Sequence, residues 1–259
     1  MIFRDNYNPK ELHNIINSID NDTIILSFMD KSYISISEVF LKEISKFDYD
    51  NLVVICLDEE SRDHLKELGI TAMMTPYSVK HKNKFWYNRF LLMEYIFTYF
   101  RKNILHTDID CIWFKDMQAL VKGQDFDFMI STAHGHPIDI QDQFGFLGCM
   151  GLFFCNYSDR TVDFFKNARN FRSDENINTD QVMMNNYLFN SFSELGKCEH
   201  GIIDRWMKID KLKIGFISED IARRSYQKNL YCYHPARHTE PIPEFLESLK
   251  EKCNDNSQA

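Results

Sequence analysis

Asp108 and Asp110 flank Ile109, with the aliphatic run Asn103-Ile104-Leu105-His106-Thr107 before them and Cys111-Ile112-Trp113-Phe114 after. Two carboxylates held this close at the rim of a core repel each other, and burying them is costly unless a cation neutralises them. A hard divalent ion, Mg2+ or Mn2+, suits oxygen ligands and can join a carboxylate to two phosphate oxygens. There it acts as a Lewis acid toward a departing diphosphate. The tripeptide by itself says little: Asp-x-Asp recurs at Asp20/Asp22, Asp48/Asp50 and Asp125/Asp127, where solvated turns account for it. What separates Asp108/Asp110 is the apolar sequence on both sides.

An acidic turn capping a helix is the plainer account of the same residues. A phosphatase of the haloacid-dehalogenase type also opens on Asp-x-Asp after a strand, but it wants Thr or Val two residues beyond the second Asp and lies near the first strand. Here that position is Ile112, and the triplet comes more than 100 residues into the chain.

The elements that must position these acids read as alternating strands and helices. Thr23 to Phe28 and Asn51 to Leu57 are apolar runs without polar alternation, as in strands buried on both faces of a sheet. Between them Ile34, Ile36, Val39, Phe40 and Ile44 recur at helical spacing, and Ser61 to Leu68 reads as a helix stopped by Gly69. Lys84 to Arg101 is apolar nearly all round and predicts an interior helix, leading into the strand Asn103 to Thr107. The acids therefore fall at a strand's carboxyl end, where open α/β sheets bind ligands. Phe126 to Ser131 predicts a further strand, His134 to Phe146 a loop, and Leu147 to Cys155 a strand in which Gly148 and Gly151 allow close approach. Helices follow at Asp159 to Asn170 and Thr179 to Asn190, then short strands near Ile214 and Tyr231 and a helix from Pro243 to Lys252. No repeat or linker interrupts the sequence, which predicts one α/β domain over residues 1–259.

A chain of 259 residues buries a sufficient core without staples, and its seven cysteines contain no C-x-x-C pair, so reduced thiols in a cytoplasmic setting are expected. The N-terminal residues show no secretory pattern, and the densest apolar stretch, Phe90 to Phe100, is too short to span a bilayer. The net charge of −8 disfavours a nucleic-acid partner. One basic cluster, Lys80-His81-Lys82-Asn83-Lys84 with Arg89 beyond it, is either a solvated helix start or a seat for a small anion.

Lys84-Phe85-Trp86-Tyr87-Asn88-Arg89 and the block from Asn103 to Asp116, with its Asp-x-Asp-x-x-Trp, resemble the nucleotide-diphospho-sugar transferase family that includes plant cell-wall xylosyl- and arabinosyltransferases. The resemblance continues through Gly148-Cys149-Met150-Gly151-Leu152-Phe153-Phe154, Arg160, Phe164 and Phe165, and then Asn178-Thr179-Asp180-Gln181-Val182-Met183-Met184-Asn185, covering roughly residues 23–190. It implies a single GT-A, Rossmann-like domain with a mostly parallel mixed sheet, a nucleotide-binding half over about 20–115 and an acceptor half over about 116–259. It further implies a metal-dependent, retaining glycosyltransferase that uses a nucleoside-diphosphate sugar, expected to be UDP-linked, with Mn2+ or Mg2+ and a hydroxyl acceptor on a glycan, protein or small molecule.

Residue by residue, the resemblance implies that Asp108 and Asp110 bind the metal, Asp108 also touching the ribose or diphosphate, while Asp180 and Gln181 lie beside the donor sugar. There an acid and an amide could steady charge at the anomeric carbon, although Thr179 or Asp180 would equally serve as a helix cap. Relatives supply a late histidine in a His-x-x-Gly-x-x-Lys-Pro run. This chain offers His234 or His238 as the third ligand, with Arg237 where that Gly would be, Glu240 where the Lys would be, and Arg237 available to the phosphates. Ser27, Phe28 and Tyr33 at the first strand's end, and Asp58 at the second's, are candidates to contact the base, and Arg89 to reach the diphosphate through its forked donors. The alternatives are a sugar nucleotidyltransferase, for which Phe28-Met29-Asp30-Lys31-Ser32 lacks the expected glycine-rich loop, and a catalytically silent GT-A-like interaction protein.

Overall fold

The computed structural model describes residues 9–76, 82–171, 179–199, 201–223 and 230–234, and for residues 9 and 82–87 the backbone alone. In chain order the elements are α1 (Pro9–Ser18), β1 (Thr23–Met29), α2 (Ile34–Ile44), β2 (Leu52–Cys56), α3 (Glu59–Glu67), β3 (Ala72–Met74), α4 (Lys82–Phe100) and β4 (Asn103–Thr107). They continue with β5 (Ile112–Trp113), α5 (Met117–Val121), β6 (Phe128–Ala133), α6 (Ile138–Phe144), β7 (Leu147–Cys155), α7 (Asp159–Asn170) and α8 (Asp180–Ser191). The last are β8 (Glu194–Lys197), β9 (Ile203–Ile209), β10 (Leu212–Ile217), β11 (Ala222–Arg223) and β12 (Cys232–Tyr233).

A nine-stranded mixed sheet, ordered β3-β2-β1-β4-β7-β6-β10-β9-β8, runs through the molecule. Its first four strands are parallel, β4 meets β7 and β7 meets β6 antiparallel, and β6 pairs parallel with β10. The chain leaves β1 for β2 on one side and returns as β4 on the other. The gap beyond their carboxyl ends is thus a topological switch point, the place where such sheets leave a crevice. A separate three-stranded sheet, β11-β12-β5, includes the short strand that follows the carboxyl end of β4.

The central strands β1, β2 and β7 are buried along their whole length, which explains their unbroken apolar sequence. One core layer lies under α1, α4, α7 and α8 and is rich in stacked phenylalanines, including Phe97, Phe128, Phe153 and Phe165. The other lies under α2, α3 and α5, around Phe40, Val54 and Trp113. In α4 the residues from Phe90 to Met93, with Ile96 and Phe97, are buried while Tyr99 is exposed, so this helix is interior on most of its circumference.

Two expectations need correcting. His134 to Phe146 holds α6, a short polar helix that follows Pro137 and is stopped by Gly145 at φ 78°, a left-handed turn that glycine adopts at no steric cost. The hairpin of β8 and β9 went unforeseen because β8 is largely exposed and Arg205-Trp206 breaks the apolar alternation of β9. The expected helix from Pro243 to Lys252 lies outside the described residues.

Candidate active site

Asp108 is the first residue past β4, and its N–H donates to the Gly151 carbonyl at 2.7 Å, extending the β4–β7 ladder by one rung. The Cys111 N–H then donates to the Asp108 carbonyl at 2.9 Å and closes the turn that carries both acids. Trp113 anchors this turn from behind: its indole is buried edge-on to Phe40 and Tyr49, and its N–H donates to the Thr107 hydroxyl at 3.1 Å.

His234 arrives from the far end of the described chain. Antiparallel pairing of Tyr233 with Ile112 and Cys232 with Trp113 sets its position, since the same register continued by one residue lays His234 over Cys111. Its Nε2 lies 3.4 Å from Asp110 Oδ1 and 3.7 Å from Asp108 Oδ2. Room for this convergence comes from Gly151. A Cβ there would fall 2.2 Å from His234 Cε1 and 2.7 Å from Asp108 Oδ2. Two carboxylates and an imidazole directed at one another across a space without a side chain are a donor set that fits a divalent ion.

Arg89, from α4, is buried beneath the acids. Its Nη1 donates to Asp108 Oδ1 at 2.7 Å, its Nε donates to Asp180 Oδ2 at 2.5 Å, and its Nη2 also pairs with Asp180. His106 completes the group. Its Nδ1 lies 2.9 Å from the Leu26 carbonyl, which can only accept, so Nδ1 carries the proton and Nε2 offers its lone pair to Arg89 Nη1 at 3.1 Å. Burial, reinforced by the guanidinium, pulls the His106 pKa down to about 4 against the pull of Asp108. The ring is neutral at physiological pH.

Burial would raise the Asp108 pKa, but Arg89, with His234 adding to its pull, outweighs it and holds the carboxyl below its usual range. Burial dominates at Asp180 and raises its pKa, with Arg89 opposing. At His234 burial opposes a charged ring. Its neighbours Cys111, Cys149 and Asp110, in that order, outweigh burial and raise its pKa well above the usual imidazole range.

Asp108, Asp110, Asp180, Arg89 and His234, all chosen from the sequence, are thus gathered at one place. Tyr33 joins them at the end of the turn Lys31–Tyr33: burial, then Asp110 and Asp108, raise its phenol pKa. Phe28 packs its ring 5.8 Å from His106. Gln181 sits at the start of α8, which Thr179 caps by accepting from the Val182 N–H; Asp180 is accordingly not the cap. Ser27 faces the opposite side of β1 from Phe28 and is wholly buried, its hydroxyl without a hydrogen-bond partner. Asp58 caps α3 through the Ser61 N–H and accepts from the Lys31 N–H, which ties that helix to the turn before Tyr33. These two donors outweigh burial and lower its pKa. Arg237 and His238 lie outside the described residues, as do Lys80, His81 and the side chains of Lys82 and Lys84.

Sequence reasoning missed His106, whose signal was an imidazole in the middle of an aliphatic strand. It also missed the role of Asn185, which donates to the Gly148 carbonyl at 2.8 Å and accepts from the Gly148 N–H at 2.7 Å. That reciprocal pair fastens α8, and with it Asp180 and Gln181, to β7.

A family model described as nucleotide-diphospho-sugar transferase matches residues 48–234. No curated protein matches the sequence. Among solved structures the chain is similar to the galactosyltransferase LgtC in complex with donor and acceptor sugar analogs, at 12% identity and a TM-score of 0.51, covering 89% of this chain and 95% of that one. It is similar to an active-site mutant of LgtC at 13% and 0.52, covering 88% and 95%. It is also similar to the apo WbbM bifunctional glycosyltransferase at 10% and 0.53, covering 86% of this chain and 47% of that one. At these identities the likeness establishes the fold, the mixed α/β sheet of GT-A proteins.

Proposed function

This chain belongs to the nucleotide-diphospho-sugar transferase family, and on that premise we propose that it moves a sugar from a UDP-sugar to a hydroxyl acceptor, with retention of configuration, using Mn2+ or Mg2+ held by Asp108, Asp110 and His234. The observation that supports this most is the meeting of those three side chains around Gly151 at the sheet's switch point. A divalent ion bound there supplies Lewis-acid stabilisation of the departing diphosphate.

The remaining work falls to the chain. Phe28 and Tyr33, at the edge of β1, take the base side of the donor, within a nucleotide half of about residues 20–115. Arg89 holds Asp108 and Asp180 in place, which leaves Asp180 to accept from sugar hydroxyls and the Gln181 amide to face the anomeric carbon as positive charge develops. Arg237 is assigned to the phosphates, and the acceptor to residues beyond about 116. Ser27 and Asp58 act through the fold, as a buried strand residue and a helix cap, more than through contact. No described helix is long and apolar enough to cross a membrane; a cytoplasmic enzyme is our reading from the cysteines.

The test is a thermal-shift screen of nucleotide-sugars with and without Mn2+, followed by transfer assays on the binder. A UDP-sugar should raise the melting temperature only with the ion present, and Asp110→Ala should abolish the shift while the variant stays folded. Equal donor affinity in Mn2+ and in excess chelator refutes the metal role.

A further inference from the structure

The cation site has a sulfur corner. Cys111 directly follows Asp110, is buried, and rests its Sγ 3.3 Å from the Gly151 carbonyl, on the same glycine that makes room for His234 and Asp108. Asp110, Cys111 and His234 each present a ligand atom within 4.8 Å of the other two, and they are the one such buried trio of metal-ligating groups among the described residues. The β5–β12 register produces this set by placing His234 opposite Cys111.

We propose that Asp110, Cys111 and His234 form a thiophilic cation site, matched to Zn2+ and its relatives Co2+ and Cd2+, that shares two ligands with the hard-ion site and competes with it. This rests on the metal reading above for the competition, though not for the binding itself. The argument is one of ligand chemistry. Mg2+ demands oxygen ligands in octahedral array and gains nothing from sulfur, whereas Zn2+ takes a mixed carboxylate, imidazole and thiolate shell, tetrahedral, at about 2.0 to 2.3 Å. Such a shell sets its ligand atoms roughly 3.3 to 3.8 Å apart. The Asp110 and His234 atoms already stand at 3.4 Å, and a Cys111 ligand atom within 4.8 Å of each completes the set with little movement. On binding, the Cys111 S–H bond breaks, the sulfur keeps the electron pair to form the metal–sulfur bond, and the proton leaves to solvent. Water or Asp108 supplies the fourth position. Cys149, 3.5 Å from the other ring nitrogen of His234, lies behind the ring and is not a ligand of the same ion.

Co2+ titrated into the full chain without any nucleotide reports this directly, since a cobalt–thiolate bond gives a near-ultraviolet charge-transfer band and tetrahedral cobalt an intense visible one. Both bands should appear in the wild type, vanish in Cys111→Ser, and persist in Cys149→Ser. Absence of the sulfur band in the wild type, or its survival in Cys111→Ser, overturns the proposal. Should Cys111→Ser fail to fold, X-ray absorption of the zinc-loaded wild type decides: one sulfur neighbour is expected, and a shell of nitrogen and oxygen alone overturns it. If Mn2+ supports sugar transfer while cobalt shows no sulfur bond, this inference fails and the transferase reading stands. If cobalt binds through sulfur while Mn2+ supports nothing, the reverse holds.

Discussion

Gly151→Ala is the smallest change that should silence the site. The added methyl would stand 2.2 Å from His234 Cε1, 2.8 Å from Nδ1 and 2.7 Å from Asp108 Oδ2, where ordinary contact begins near 3.4 Å. An overlap of more than 1 Å with a buried ring cannot be relieved by a small rotation, because the ring is pinned by the β5–β12 pairing on one side and by Cys149 on the other. His234 must therefore withdraw from the acids, or β7 must shift away from β4. Overpacking of this kind costs about 1 to 3 kcal/mol, which for a chain of this size lowers the melting temperature by roughly 2 to 10 °C. The protein stays folded, while Mn2+ affinity and donor binding collapse. Gly148→Ala on the same strand is the control. Its new methyl meets the end of Ile130 at 2.7 Å, a flexible side chain remote from the acids, so stability should drop comparably with cation binding retained. Melting curves and Mn2+ titration by electron paramagnetic resonance measure both. Gly151→Ala binding Mn2+ like the wild type, or Gly148→Ala losing it equally, refutes the assignment of this space to the cation.

Three further outcomes are expected. Because the folded pKa of His106 is about 4 against a usual value near 6.5, its contribution is fully present above pH 6.5 and lost as pH falls toward 4. This amounts to about 3 kcal/mol in all, and urea unfolding in chelator at pH 7 and pH 5 should show about 2 kcal/mol of it, absent in His106→Gln. Arg89→Met leaves the buried Asp180 and the half-buried Asp108 without their cation and should cost about 3 to 5 kcal/mol by the same denaturation assay, partly recovered in Arg89→Met/Asp180→Asn; a loss under 1 kcal/mol contradicts the ion network. Gln181→Ala should lower kcat far more than it raises the donor Kd, since an amide at the reacting carbon matters most as charge develops. Parallel losses would mark it as an ordinary binding group.

The strands that hold the site were legible because they are buried on both faces: Asn103 to Thr107 and Leu147 to Cys155 coincide with β4 and β7. The helix expected from Asp159 to Asn170 coincides with α7, which Ser158 caps by accepting from the Thr161 N–H. What failed was short or half-exposed, as with β8, or polar, as with α6, whose Pro137 and Gly145 boundaries were nonetheless written in the sequence. Asp108 and Asp110 could be picked by type and position, and Asp180, Gln181 and His234 through the family resemblance. Their assembly could not, because Arg89 reaches Asp180 across 91 positions and His234 reaches Asp110 only through the register of two-residue strands. A one-residue slip of that pairing sends the imidazole to the opposite face, and nothing in the local sequence of Tyr233-His234 fixes it.

The guanidinium buried under the acids has a bearing on how the protein lives without its ion. Arg89 sits between Asp108 and Asp180, and His234 stands beside Asp110, so each of the three carboxylates already faces a basic side chain. Arg89 already pairs with the most deeply enclosed carboxylate, so on the proposed function the ion would be cargo of the catalytic cycle and not a rivet of the architecture. Chelation should then silence the protein without unfolding it, and the ion is free to come and go with each donor it accompanies.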